Sequence, residues 1–383
     1  MLKLIHTADV HIGVKFGAFG KRAEEQRKAL RDALAKIADR AVSERAQLLL
    51  IAGDLFDSNF PSYDSVGFVK TQFKKLNDAG VYVAIVPGTH DCLSGDSIYK
   101  REHFAAQFPR VHVFDDPAIT TKEFPDIDTT VYAKANVSNK SSESPVAFLA
   151  SAVKSAATKY TVAMAHGSVQ IEGKSARDDM PIEPKDIERS GVQYLALGHW
   201  HGCQDFSAKG VVAWYSGSPE VTYQEGKGGI GQGYALSVEI TEDGGAQVTP
   251  LKISQKEVAE IRLDMQVTET MEQAYFELEQ RASPNRIAVV TFAGVAPAGV
   301  FIDPEKIERD FADAFFSITV SDETVSAEEE ITELNYPEEL VIGQFVRIMQ
   351  QRITNAKDPA ERQRMTEALH LGVAELEGKN ILG

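Results

Sequence analysis

Three aspartates and five of the nine histidines of this 383-residue chain fall in five short motifs: Asp9-Val10-His11, Gly53-Asp54, Gly88-Thr89-His90-Asp91, His166-Gly167 and Gly198-His199-Trp200-His201. A lone histidine is more often a surface or satisfied core residue than a ligand. Recurrence in one kind of place is what makes these informative. Mixed imidazole and carboxylate donors suit Mn, Fe or Zn better than Mg or Ca alone. At least six donors are too many for one catalytic ion that must keep an open position. Two ions about 3.5–4 Å apart, sharing one carboxylate, activate water and clamp a phosphoryl group. The competing reading is a single structural ion, but the cysteine-rich donor set of such sites is missing: Cys92 and Cys203 are the only cysteines.

Each motif directly follows an apolar run that reads as a buried strand: residues 2–7, 48–51, 81–86, 160–165 and 194–197. Strand ends are where α/β sheets place their ligands. Pro87-Gly88 turns the chain sharply and leaves His90 and Asp91 pointing outward. In an extended loop residues i and i+2 point the same way. Asp9 with His11, and His199 with His201, are therefore expected to aim two donors each at one pocket. Helices are predicted over about 21–45, 65–79 and 144–158, and further strands over 111–114, 130–133, 211–215, 234–240 and 247–253. Strand–helix alternation followed by a hairpin predicts an α/β fold that finishes in antiparallel strands.

The predicted domain layout has three parts. Residues 1–255 carry all five motifs. Residues 256–321 read as a small β-α-β-α-β cap. Residues 322–383 begin with an acidic linker and end in two amphipathic helices, with stripes of Val341, Phe345, Ile348 and Met349 and of Met365, Leu369, Val373 and Leu376. Asp358-Pro359-Ala360-Glu361 supplies a cap for the second helix, and Gly378 its stop.

Composition is that of an ordinary soluble protein, with 43% hydrophobic and 25% charged residues. No run is long and apolar enough for a membrane span, and no signal peptide is read at the N-terminus, so a cytoplasmic location is expected. The net charge of −16 argues against a diffuse polycation for nucleic acid. It leaves room for a phosphate substrate, because bound divalent cations invert the local field. Lys70, Lys74, Lys75, Lys100 and Arg101 are candidate phosphate contacts, though charges of this kind are more often a solvated face. Gly226-Lys227-Gly228-Gly229-Ile230-Gly231 matches a dinucleotide pattern but precedes a strand rather than opening a helix, so it reads as a loop. Cys92 and Cys203 lie near metal motifs. Ordinary small thiols are the commoner case and a redox pair the sharper one.

Asp-x-His, Gly-Asp-x-x-Asp, Gly-x-His-Asp, His-Gly and Gly-His-x-His, in this order, resemble the calcineurin-like metallophosphoesterases. Ile5 to Gly13, Ala52 to Asp57 with Pro61-Ser62, Ala196 to His201 and Tyr215-Ser216-Gly217-Ser218-Pro219 resemble its double-strand-break repair nuclease branch, the SbcD family. The resemblance implies a sandwich of mixed sheets flanked by helices, a small α/β cap and C-terminal helices. It implies a first ion held by Asp9, His11, Asp54 and His201, and a second by Asp54, His166 and His199, with Asp54 bridging. His90, supported by Asp91, would contact the scissile phosphate and act as general acid. The family has Asn where this chain has Thr89, whose shorter hydroxyl is expected to bind the second ion more weakly.

The function implied is a two-metal DNA phosphodiesterase, an exonuclease or endonuclease in DNA repair that uses Mn2+ (or Fe or Zn) beside an SbcC-like ABC-type ATPase, with a homodimer as a family-level expectation. Two alternatives stand beside it. One is a phosphoesterase for small phosphoesters or phosphoproteins. The other is a DNA- or ATPase-binding subunit weakened in catalysis by Thr89.

Overall fold

Apolar runs with almost no polar interruption become strands covered on both faces. The computed structural model describes residues 1–152, 158–171, 176, 179–222, 231–297, 300–326, 336–337 and 340–376. They fall into two units, Met1–Glu257 and Val258–Gly383.

The first unit opens with β1 (Leu2–Thr7), α1 (Ala23–Ser43), β2 (Leu48–Ala52), α2 (Tyr63–Asp78) and β3 (Tyr82–Val86). Two short helices, α3 (Ile98–Glu102) and α4 (Phe104–Gln107), lead to β4 (Val111–Val113), β5 (Thr121–Phe124), β6 (Thr129–Ala133) and β7 (Tyr160–His166). Next come β8 (Ser168–Val169), β9 (Pro181–Ile182), α5 (Pro184–Arg189), β10 (Tyr194–Gly198), β11 (Gln204–Asp205), β12 (Val212–Tyr215), β13 (Tyr234–Ile240) and β14 (Ala246–Lys252). One six-stranded sheet runs β14-β13-β1-β2-β3-β4 and another β11-β12-β10-β7-β6-β5. Both are mixed: in the first, β1, β2, β3 and β4 are parallel while β13 and β14 are antiparallel, and in the second β5 and β11 are the antiparallel edges.

The period of two along each strand divides the core into layers. Leu2, Leu4, Leu48, Leu50, Ala84 and Val86 of the first sheet meet Val131, Val162, Met164, Tyr194 and Ala196 of the second, which makes a sandwich. The alternate residues Ala163, Ala165, Leu195 and Leu197 pack outward with Val146, Leu149, Ile187 and Val192. In α1, Leu30, Leu34, Ile37 and Ala41 are buried at helical spacing. In α2, Val66, Val69, Phe73 and Leu76 are buried, and Ser62 caps the helix by accepting from the Ser65 amide.

Register then sets the site. Thr7 pairs with Ile51 and Ile51 with Ile85, so β1, β2 and β3 release their loops at one level. In the second sheet Leu197 pairs with Ala165 and Gly198 with His166. The helix predicted over 144–158 is only a 3-10 turn at Ala147–Ala150 in its described part, and residues 153–157 lie outside the described residues. The edge strand β5 carries no apolar run (Thr121, Lys122 and Glu123 are exposed), so periodicity does not show it.

The second unit contains β15 (Glu257–Asp264), α6 (Met265–Thr268), α7 (Met271–Gln280), β16 (Ser283–Ala293), β17 (Val295–Ala296), α8 (Pro304–Phe311), β18 (Phe315–Asp322) and β19 (Val325–Ser326). A sheet β15-β16-β18 packs Ile261, Leu263, Val290 and Phe292 against Leu278, Ile307 and Phe311 of α7 and α8. Helices α9 (Val341–Thr354) and α10 (Pro359–Leu376) form a pair around Val346, Met349, Ile353, Leu369 and Val373. The Asp358 carboxylate caps α10 by accepting from the Glu361 amide at 2.7 Å. The first predicted stripe is therefore rotated: Val341 is 73% and Ile348 49% exposed. Gly378, the Gly-rich loop over 226–230 and most of the acidic linker lie outside the described residues.

Candidate metal centre

The five motif loops meet at one edge of the sandwich. Asp54 Oδ2 lies 3.2 Å from His166 Nε2 and 3.9 Å from His11 Nε2. His11 Nε2 faces His201 Nε2 at 3.2 Å. Thr89 Oγ1 donates to Asp54 Oδ2 at 3.2 Å and stands 3.4 Å from His166 Nε2. Among the described residues, three donor triads are close enough to share an ion: Asp9, His11 and His201; Asp9, Asp54 and His166; His11, Asp57 and His90. The His11–His201 contact is the most telling. Two imidazole nitrogens without a proton between them repel, whereas a cation accepts both lone pairs. The donor set therefore fits a divalent metal.

The backbone that delivers these groups is not extended, contrary to the i, i+2 expectation. Asp9, His11 and Asp54 all adopt left-handed φ values (53°, 52° and 49°), and His199 sits at 108°. Left-handed conformations cost non-glycine residues free energy and cluster at functional sites. The loops interlock through main-chain bonds, Asp9 N to Gly53 O at 3.1 Å and His11 N to Asp54 O at 2.9 Å. His199 and His201 consequently diverge: the His201 ring turns to His11, while His199 Nε2 contacts Asp179 Oδ2 at 2.9 Å. The His199 amide also serves the site by donating to both Asp9 oxygens at 3.0 Å. Close packing leaves no room for side chains at the motif glycines Gly53, Gly88, Gly167 and Gly198. A Cβ on Gly53 would lie 2.1 Å from His166 Nδ1, and one on Gly88 2.2 Å from Asp54 Oδ1.

Outer partners fix the rings. His166 Nδ1 bonds the Ala52 carbonyl at 2.9 Å, which turns Nε2 toward Asp54. His201 Nδ1 bonds Thr222 Oγ1 at 2.9 Å, and Thr222 is held in turn by Gln232 Oε1, which accepts from its amide at 2.7 Å. His90 donates its amide to Asp54 Oδ1 at 2.8 Å, and its Nδ1 bonds the Asp57 carbonyl at 3.0 Å. Asp91, expected to support His90, does something else. It is fully buried, and its oxygens are taken by the Gly88 amide (2.8 Å), the Phe56 amide (3.1 Å) and the Tyr99 hydroxyl (2.6 Å). Asp91 ties the second and third motif loops together, and Asp57 stands beside His90 in its place. The Gly-Asp-x-x-Asp pattern contains Asp57 without assigning it a role; Asp179 and Thr222 carry no signal in the sequence at all.

The electrostatics favour cations. Burial alone would lower His166, but the charge and hydrogen bond of Asp54, with Asp9, lift it to about 10. Burial likewise opposes His11, and Asp57, Asp54 and Asp9 together raise it. Burial disfavours ionised Asp54, yet the surrounding imidazoles hold it well below the usual carboxylate range. His201 is pushed down to about 4, because its burial outweighs the Asp9 charge. Carboxylates that lift their neighbours in this way offer the same attraction to a divalent ion. A cleft of about 520 Å³ opens on the site, lined by His11, Lys15, Phe16, Asp57, His90 and His201 among others.

Comparison with known proteins fits this geometry. The model of the calcineurin-like phosphoesterase family matches residues 2–203, more than half of the chain. The chain belongs to that family. This phosphoesterase is accordingly a metal-dependent hydrolase. It is similar to the metallophosphoesterase YhaO of Bacillus subtilis, at 26% identity over 325 residues that cover 82% of this chain and 77% of that one. It is also similar to the SbcD component of the nuclease SbcCD of Staphylococcus epidermidis, at 24% identity, covering 57% of this chain and 61% of that one. The DNA double-strand break repair protein Mre11 of Sulfurisphaera tokodaii matches at 24% identity, covering 58% and 55%. The match thus spans less than two thirds of each of these last two relatives. No helix among the described residues is long and apolar enough to cross a membrane.

Proposed function

We propose that this phosphoesterase is a two-metal phosphodiesterase that cleaves DNA, with Mn2+ as its ion pair and an ABC-type ATPase as its partner. The observation that carries the metal reading is the position of Asp54 Oδ2 between His166 and His11, as a bridging ligand requires. Asp9, His11 and His201 would complete the first position, and His166, with His199 and Thr89 nearby, the second. When bound, such a pair supplies Lewis acidity toward a phosphoryl group and water acidic enough to be a nucleophile near neutral pH.

The chain's own residues do the rest. His90 has a half-exposed side chain facing the cleft. With Nδ1–H donated to the Asp57 carbonyl, the doubly protonated ring would present Nε2–H to the phosphate, pass that proton to the leaving oxygen and remain as the neutral Nδ1–H imidazole. Lys15 brings a cation to the cleft wall. The basic candidates of the sequence are otherwise engaged: Lys70, Lys74 and Lys75 pair with Glu102, Asp78 and Asp39, Lys100 bonds the Ser94 carbonyl, and Arg101 bonds the Asp96 and Asn59 carbonyls. The DNA reading draws on the nuclease SbcCD and the DNA repair protein Mre11 as relatives. The partner reading draws on Val341 and Ile348, two apolar side chains exposed at helical spacing on α9. A cytoplasmic location suits this role.

A weakened catalytic subunit is the second reading, favoured by one contact. The Thr89 hydroxyl donates its proton to Asp54, a ligand, and so competes with the ion for that oxygen. Linear duplex DNA, bis(p-nitrophenyl) phosphate and p-nitrophenyl phosphate, each given with Mn2+ to wild type and to Thr89→Asn, separate the possibilities. DNA cleavage by wild type supports the proposal. Turnover of the small esters alone identifies another phosphoesterase, and DNA cleavage by Thr89→Asn alone identifies the weakened subunit.

A further inference from the structure

We propose that Tyr215 is a positioning residue for the second ion, its hydroxyl setting the turn that follows His166 and its ring setting the loop that carries His199 and His201. The inference rests on the two-ion reading above. Tyr215 ends β12, which runs parallel to β10 with Leu197 opposite Tyr215. The stretch Tyr215-Ser216-Gly217-Ser218-Pro219 therefore leaves the sheet at the same edge as the motif loops. It stands out in the sequence by resemblance alone and supplies no ligand.

The Tyr215 side chain is fully buried and reaches two loops at once. Its hydroxyl donates to the Gly167 carbonyl at 2.6 Å and accepts from the Val169 amide at 2.9 Å, which brackets the turn after His166. Its ring stacks on Trp200, with centroids 5.3 Å apart and planes 11° from parallel, and Trp200 separates His199 from His201 in the chain. The Trp200 indole N–H donates to the Ser168 hydroxyl at 2.9 Å and so joins the two loops directly. The residues after Tyr215 grip the fifth motif as well. The Ser218 amide donates to the His201 carbonyl at 2.9 Å, and a Cβ on Gly217 would lie 2.5 Å from that carbonyl. Two buried main-chain groups thus depend on one hydroxyl. Removing it leaves both unpaired, and the turn beside His166 must shift to recover partners. Asp9, His11 and Asp54 stand on loops of the other sheet, so the first ion keeps most of its donors when the hydroxyl is gone.

The test uses the full chain, stripped of metal by chelation and titrated with Mn2+ in a calorimeter and with Co2+ followed by visible absorption, beside urea unfolding of the metal-free protein. Tyr215→Phe removes the hydroxyl and keeps the ring on Trp200. It is expected to weaken the second ion about 10–100-fold and to change its Co2+ bands, with the first ion within about twofold of wild type. A lower urea midpoint with wild-type affinities and bands would overturn the proposal, because the hydroxyl would then only stabilise the fold. Equal weakening of both ions would overturn it too, as a general loosening of the site. Where Tyr215→Phe does not fold, Ser168→Ala decides: it removes the acceptor of the Trp200 indole and is expected to weaken the second ion at least about threefold. Wild-type affinity in that variant would overturn the proposal. A wild type that takes up one ion or none overturns the two-ion reading, and this proposal with it.

Discussion

His90 and His201 both pack against His11, and the work proposed for each can be separated. His90 bonds the Asp54 carboxylate through its amide and the Asp57 main-chain carbonyl through its ring. His90→Ala is therefore expected to lower kcat about 10²–10⁴-fold, the usual worth of a positioned acid, while ion uptake measured by calorimetry stays at the wild-type level. Thr222 acts through His201. Its hydroxyl fixes which His201 nitrogen faces the site. Thr222→Val should weaken the first ion about 10–100-fold, and Thr222→Ser should restore it; equal affinities in the two variants would leave Thr222 with no part in metal binding. At this scale the motifs are legible because imidazoles and carboxylates gather after apolar runs. The supporting pairs are not. Asp91 follows His90 in the chain but points down to the Phe56 amide and the Tyr99 hydroxyl, and nothing in a linear string separates a neighbour in sequence from a partner in space.

Elements explain why so much of the fold can be read in advance. β1, β2, β3, β7 and β10 are buried on both faces, so their apolar runs are nearly continuous and end where the motifs begin. Two features escape because they depend on pairing. Division of the strands between two sheets is set by which residues meet, and a period of two is the same in either sheet. In α9, Val341, Val346, Ile348, Met349 and Ile353 offer more than one apolar stripe, and packing against α10 selects Val346, Met349 and Ile353. Leu369→Ala, at a fully buried position of α10, is expected to cost about 2–5 kcal/mol in urea unfolding. Ile348→Ser, on the exposed side, should stay within about 0.5 kcal/mol of wild type. A large loss at Ile348 would mean that this face packs within the chain and is not free for a partner. Gly88→Ala tests the loop geometry: the new methyl meets Asp54 directly, so loss of ion binding is expected even where the fold survives.

At the scale of the whole molecule, acid should act through a residue buried between the two sheets. His6 is fully buried, with Nδ1 2.8 Å from the Tyr194 hydroxyl of the opposite sheet. Burial pushes its pKa from 6.5 down to about 3. Protonation thus favours the unfolded chain. The stability that neutral His6 contributes is complete above the unfolded value and is lost as pH falls toward 3. Between pH 7 and 5 the loss is about 2 kcal/mol, seen as a falling urea midpoint in metal-free protein, and His6→Gln should flatten that slope. The net charge of −16 is a property of the same scale. In the proposed function it would direct a phosphate substrate to the edge where bound cations reverse the field, and away from the surface at large.

Five strand-end loops that build one two-ion centre for cleaving phosphodiesters are the core of the proposed function. The most direct measurement is cleavage of linear duplex DNA by chelator-stripped protein as Mn2+ is returned, with ion uptake recorded on the same samples. No cleavage is expected without metal, activity should saturate as two ions bind per chain, and His90→Ala should bind both ions while losing nearly all cleavage. Cleavage that persists in chelator, or that survives unchanged in His90→Ala, would contradict this function.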